Sequence, residues 1–245
     1  MGIEIKVVPD NAALARAAAQ EFHSVAETAV RERGRFSVAL SGGNTPRTVY
    51  SLMASEHKQL PWDKIHIFFG DERLVPPDDP ESNFRMANES LLSKVPIPQS
   101  NVHRIRTELG PEAAAMQYDQ ELREFFHLMD HDWPRFDLIF LGLGDDGHTA
   151  SLFPGSKALT NESSRVTANW VEKFQTFRIT LTLPVLNHAA EVVFLVSGAS
   201  KAQILSEVLG PGARKFPAQN VQPENGRLLW LVDQDAGSLL PFATP

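Results

Sequence analysis

Five short stretches of the chain are apolar at most positions: Phe36–Leu40, Ile65–Phe69, Phe136–Leu141, Val192–Val196 and Leu228–Val232. Runs of this length, rich in β-branched and aromatic residues, read as strands covered on both faces. Residues Ile3 to Val8 alternate instead, as an opening strand does. Between the strands the period lengthens to three or four. Leu14, Ala18, Phe22, Val25 and Ala29 make one apolar stripe, which predicts a helix over 11–33 that stops at Gly34. Residues 111–130 read as another long helix, with Pro111 in the first turn where its missing N–H costs nothing. Strands alternating with helices predict an α/β fold in which right-handed crossovers return each strand in the same direction. No linker or repeat interrupts the pattern. The expectation is one domain over residues 1–245, a mostly parallel Rossmann-like sheet with helices on both faces.

Such a sheet binds ligands beyond the carboxyl ends of its strands, so the residues that follow each strand carry the functional reading. After Leu40 come Ser41, Gly42, Gly43, Asn44, Thr45 and Pro46. Two glycines let the backbone turn tightly, Thr45 is placed to cap the next helix, and Pro46 suits its first position. Amides exposed at a helix N-terminus suit an anion, and a phosphate is the natural occupant; a plain tight turn is the alternative. After Phe69 come Gly70, Asp71, Glu72 and Arg73, either a solvated turn or charges aimed at a ligand.

After Leu141 the chain runs Gly142-Leu-Gly-Asp-Asp-Gly-His148 and on to Pro154. Gly142, Gly144 and Gly147 match the dinucleotide spacing G-x-G-x-x-G. Asp145 and Asp146 would then stand where a pyrophosphate must lie, and Pro154 would disturb the crossover helix, so a dinucleotide is rejected. The glycines bend the loop to project His148. Among the 8 histidines it alone stands in a glycine-rich loop at a strand end, and a neutral imidazole can take a proton from water. After Val196, Ser197-Gly-Ala-Ser-Lys201 repeats the Ser-Gly turn and adds a cation. Helix N-termini disfavour cations, so Lys201 requires a compensating anion or an exposed position. Arg178, at the head of Ile179–Leu183, is uninformative alone.

Composition narrows the chemistry. A net charge of −7 gives no nucleic-acid footprint, and no stretch reaches the length of a membrane span. The chain has 0 cysteines, which excludes disulfides, thiolate metal sites and a cysteine nucleophile, and makes a cytoplasmic location the default expectation. No G-x-S-x-G elbow supports a serine nucleophile. No spacing argues for a metal, and no cofactor is expected. What remains is a phosphate cradle, cations, a carboxylate pair and one histidine on one sheet edge, which points to chemistry on a phosphorylated small molecule.

At these residues the sequence resembles the 6-phosphogluconolactonases, within the wider group that includes glucosamine-6-phosphate deaminases. The motifs are Leu40-Ser-Gly-Gly-Asn-Thr-Pro46, Gly70-Asp-Glu-Arg73, Ser82-Asn83, Gly142 to Pro154, Arg178-Ile-Thr-Leu-Thr182 and Ser197 to Lys201, in family order. Deaminases carry Asp-Glu-Tyr where this chain has Asp71-Glu72-Arg73, and Phe-Asn-Glu-Pro where it has Ser151-Leu152-Phe153-Pro154. Both differences favour the lactonase branch. Asn44 departs from the family's usual Ser or Thr. The resemblance implies a sugar-phosphate lactone as substrate, phosphate contacts from Ser41, Gly42, Gly43, Arg178 and Lys201, and His148 as catalytic base. It leaves Arg73 on either the phosphate or the lactone oxygen. Asp146 either orients the imidazole or serves only the turn. The rivals are a deaminase, with Asp71 taking the key proton, and a non-catalytic sugar-phosphate sensor.

Overall fold

The computed structural model describes residues 2–57, 59–212 and 214–241. Its main sheet has six strands in the order β1-β9-β8-β5-β2-β3: β1 is Glu4–Val8, β2 Phe36–Leu40, β3 Ile65–Phe69, β5 Leu138–Leu141, β8 Glu191–Val196 and β9 Arg227–Asp233. Every pairing in it is parallel. Strands β2 and β5 are buried at every position because helices cover both faces, which is why their sequences show no alternation. Phe22 of helix α1 (Asn11–Arg33) joins helix to sheet by meeting Phe36 edge-on at 5.0 Å, and within the sheet Phe194 of β8 stacks on its cross-strand partner Trp230 of β9 at 3.8 Å. Helix α1 starts where the Asp10 carboxylate accepts from the Ala13 N–H at 2.7 Å, and it ends at Gly34 with φ 74°.

Other boundaries move. Helix α2 (Asn44–Glu56) begins one residue before Thr45, its N-cap is Gly43, and no side chain caps it; Pro46 is its third residue. A threonine inside the first turn cannot act as the N-cap, so the expected Thr45 cap is corrected. Helix α4 (Pro111–Phe126) stops short of residue 130 because His127 adopts the left-handed conformation, φ 54°. Asp137 lies just outside β5 and ties it to β2, its carboxylate accepting from the Ser37 N–H and hydroxyl at 2.7 and 2.9 Å.

The larger addition is a second, antiparallel sheet, β4-β7-β6, made by Asp71–Arg73, Thr176–Leu181 and Val166–Val171. The Asp71-Glu72-Arg73 segment is therefore a strand and not a solvated turn. Glu72 is 2% exposed. Its carboxylate accepts from the N–H groups of Asn83 (2.7 Å), Phe84 (2.8 Å) and Arg73 (2.8 Å) and from the Ser82 hydroxyl (3.1 Å). It thus closes the N-terminus of α3 (Asn83–Ser90), where a carboxylate also meets the helix dipole. Burial pushes its pKa up against those donors. Glu72 is accordingly a structural carboxylate that holds β4 on α3.

In the main sheet, the connection from β2 to β3 moves outward on one side, and the chain then crosses back to lay β5 on the other side of β2. The carboxyl ends of β2 and β5 flank this reversal, where a doubly wound sheet opens a crevice. No helix of the described residues is long and apolar enough to cross a membrane.

Candidate active site

A cavity of about 330 Å³ opens at this reversal. Ser41 and Gly42 line it from the end of β2, Gly144 and His148 from the loop after β5, Lys201 from the turn after β8, and Arg73 and Arg178 from the small sheet. Six of the eight residues singled out in the sequence share one cavity. Gly43 stands beside it as the α2 N-cap, and Asp146 reaches it through His148.

The His148 ring is held on three sides. Nδ1 lies 2.5 Å from Asp146 Oδ1, and the His148 N–H donates to the same oxygen at 3.2 Å. Phe153 stacks on the ring at 4.1 Å. Gly144 lies against it so closely that a Cβ there would come within 2.0 Å of Nδ1. With Nδ1 donating to a carboxylate, Nε2 is the nitrogen left to accept a proton. Burial opposes the charge on Asp146, yet the hydrogen bond and the charge of His148, with Lys173 beyond, hold its pKa below the usual carboxylate value. The glycine spacing that resembles a dinucleotide motif therefore serves the histidine. We predict that Gly144→Ala displaces the ring and lowers kcat by about tenfold, with KM little changed, because a misplaced catalytic group loses its alignment with the reacting atoms; steady-state kinetics with a thermal melt to confirm folding checks it.

The anion side has a different character. Ser41 keeps its backbone for the fold: its N–H donates to the Tyr50 hydroxyl at 3.0 Å, and that hydroxyl donates back to the Ser41 carbonyl at 2.9 Å. Its amide is therefore not available to a phosphate, but its buried hydroxyl has no partner. Gly42 packs against Asn83 so tightly that a Cβ would lie 1.9 Å from its amide oxygen. Ser197, in the echoing turn, differs: its hydroxyl donates to Asp233, and the Gly198 N–H donates to the same carboxylate at 3.0 Å. The second Ser-Gly turn is internally satisfied and structural, whereas the first is open.

Arg73 and Arg178 face each other directly across β4 and β7. Arg73 donates to the Glu81 carbonyl at 2.5 Å. Among the described residues Arg178 forms no ion pair, and its buried Nε has no hydrogen-bond partner; its guanidinium lies 5.2 Å from the centre of the Phe174 ring. Burial, and then the charge of Arg73, depress its pKa. Two like charges set opposite each other in a part-buried pocket are unfavourable until an anion joins them. Lys201 has the compensating anion its position demands, an ion pair with Asp145, which holds the Asp145 carboxyl below its ordinary range.

Sequence reasoning missed Lys173 and Phe174, which line the same cavity from the tip of the β6–β7 hairpin. Nothing in their neighbourhood marks them, because β6 and β7 carry no apolar run. Asp71 also lines the cavity, but its carboxylate accepts from the Ser151 hydroxyl at 2.6 Å and lies 3.3 Å from the Asn83 amide nitrogen.

A family described as glucosamine-6-phosphate isomerases/6-phosphogluconolactonase matches residues 9–230. A curated 6-phosphogluconolactonase of Synechocystis sp. is 48% identical over 215 residues, covering 86% of this chain and 88% of its own. One of Nostoc sp. is 42% identical, covering 96% of this chain and 98% of its own. The solved structure of 6-phosphogluconolactonase from Trypanosoma cruzi superposes with a TM-score of 0.88 at 28% identity, covering 98% of this chain and 97% of that one. The cavity's residues lie within the matched span, and the chain belongs to the glucosamine-6-phosphate isomerase/6-phosphogluconolactonase family.

Proposed function

We propose that this chain hydrolyses 6-phospho-D-glucono-1,5-lactone to 6-phosphogluconate, with His148 moving the proton. The observation that carries the reading is the pairing, in one cavity, of a carboxylate-oriented imidazole with a partly buried arginine that forms no ion pair among the described residues. Arg178 and Arg73 receive the phosphate together with the Ser41 hydroxyl and the Gly42–Gly43 turn, and Lys201 exchanges Asp145 for it. The register of Arg73 opposite Arg178 favours the phosphate over the lactone oxygen for Arg73.

His148 Nε2 takes a proton from water as the water oxygen attacks the lactone carbonyl, giving a tetrahedral oxyanion. When the oxyanion collapses, the bond from the carbonyl carbon to the ring oxygen breaks and the imidazolium returns the proton to that oxygen. Asp146 keeps Nδ1 protonated and stabilises the imidazolium between the two transfers. The deaminase reading would give the proton to Asp71, but that residue is 7% exposed and its carboxylate is already engaged by Ser151, whereas His148 lines the cavity and engages Asp146 through Nδ1, which leaves Nε2 to take the proton.

The test adds purified protein to freshly generated lactone and follows acid release above the spontaneous rate. Acceleration is expected with the phosphorylated lactone, and no ammonia from glucosamine 6-phosphate. Acid release at the background rate overturns the assignment.

A further inference from the structure

Lys173 stands on the 3₁₀ turn Glu172–Phe174, at the tip of the hairpin between β6 and β7. Its Nζ lies 3.6 Å from Asp146 Oδ2, while the other oxygen of that carboxylate faces His148 Nδ1. The neighbouring Phe174 meets Phe153 edge-on at 6.0 Å, and Phe153 stacks on the His148 ring. On its other side Phe174 covers the Arg178 guanidinium. Two adjacent residues of one tip thus touch the support of the base and the cation of the phosphate site.

We propose that Lys173 is a positioning residue that acts on His148 through Asp146, fixing the carboxylate so that one oxygen stays on Nδ1. The inference rests on the lactonase reading for its kinetic consequence but not for its geometry. A cation on Oδ2 offsets part of the carboxylate's charge at the ring, so removing it tightens the carboxylate's hold on the Nδ1 proton and frees the carboxylate to turn. The other charges around His148 are Asp145 on its own loop, Lys201 after β8, and Asp71, Arg73 and Arg178 across the cavity. Only Lys173 pairs with Asp146 from outside the loop among the described residues.

The experiment compares wild type, Lys173→Met and Lys173→Arg by two readouts. The His148 ring titration, followed by NMR on the ligand-free protein, is expected to rise by about 0.5 to 1 pH unit in Lys173→Met and to stay near wild type in Lys173→Arg. In the lactone assay, Lys173→Met lowers kcat about three- to tenfold with KM nearly unchanged, moves the acidic limb of the rate profile upward, and Lys173→Arg restores most of the loss. An unmoved His148 titration overturns the proposal, as does a raised KM at unchanged kcat, which would make Lys173 a phosphate ligand. If wild type fails to hydrolyse the lactone, the functional reading falls, while the titration still decides the coupling. Lys173 is 57% exposed at its side chain, so the substitutions leave the fold intact.

Discussion

His148→Ala lowers kcat by about 10²- to 10⁴-fold, the usual contribution of a positioned general base, and leaves KM close to wild type because the proposed assignment gives the phosphate contacts to other residues. The effect sits in kcat since the proton transfer exists only on the way to the tetrahedral intermediate. Asp146→Asn tests the same unit from behind. Its amide either accepts the Nδ1 proton without the negative charge or turns its NH2 to the ring and forces the proton onto Nε2, where the base must be free. A smaller loss than in His148→Ala is expected, with an altered pH profile. His148 is part-exposed in the loop after β5 and contributes little to the main core, so a thermal melt should remain near wild type. Turnover of His148→Ala close to wild type, after subtracting spontaneous lactone opening, removes the base assignment.

What could be read in advance follows from where the physical signal is local. Strands β2 and β3 and helix α1 agree with the sequence reading residue for residue, because continuous burial and a 3.6-residue stripe are written in the order of side chains. The crevice was also foreseeable, since parallel strands leave their carboxyl ends together. The small sheet was not. Strand β4 is three charged residues, and apart from the Arg73 N–H the partners that bury Asp71 and Glu72 are ten or more residues away along the chain. Thr180 and Asn169 of the small sheet do the same for Ser151, the Thr180 hydroxyl accepting from its N–H and the Asn169 amide donating to its carbonyl. A charge looks solvated in sequence until its partner is known. For the same reason Lys201 could be assigned a need for an anion but not Asp145 by name, and Lys173 carried no signal at all.

Arg178→Ala weakens kcat/KM for the phosphorylated lactone by about tenfold to a hundredfold, equivalent to about 1.5 to 3 kcal/mol for a charge-assisted hydrogen bond. The same variant should treat phosphate-free gluconolactone as wild type does, because the proposed assignment places Arg178 on the phosphate alone. The structure makes a second, opposite demand on this residue. Arg178 is held partly buried, facing Arg73, with Nε unpartnered and its pKa depressed chiefly by burial. Such a site stores unfavourable charge in the empty enzyme and releases it when an anion arrives. Removing the guanidinium while keeping its volume, as in Arg178→Met, should therefore hold or raise the melting temperature of the ligand-free protein. It should also abolish most of the stabilisation that saturating inorganic phosphate or 6-phosphogluconate gives the wild type, since a ligand stabilises only in proportion to its binding. Lys201→Ala provides the contrast: its ion pair with exposed Asp145 leaves no stored repulsion to relieve, so ligand stabilisation falls without a gain in the empty protein. A variant of Arg178 that loses stability when empty, or that still discriminates the phosphorylated lactone as strongly as wild type does, shows that the arginine was placed for the fold and not for the phosphate.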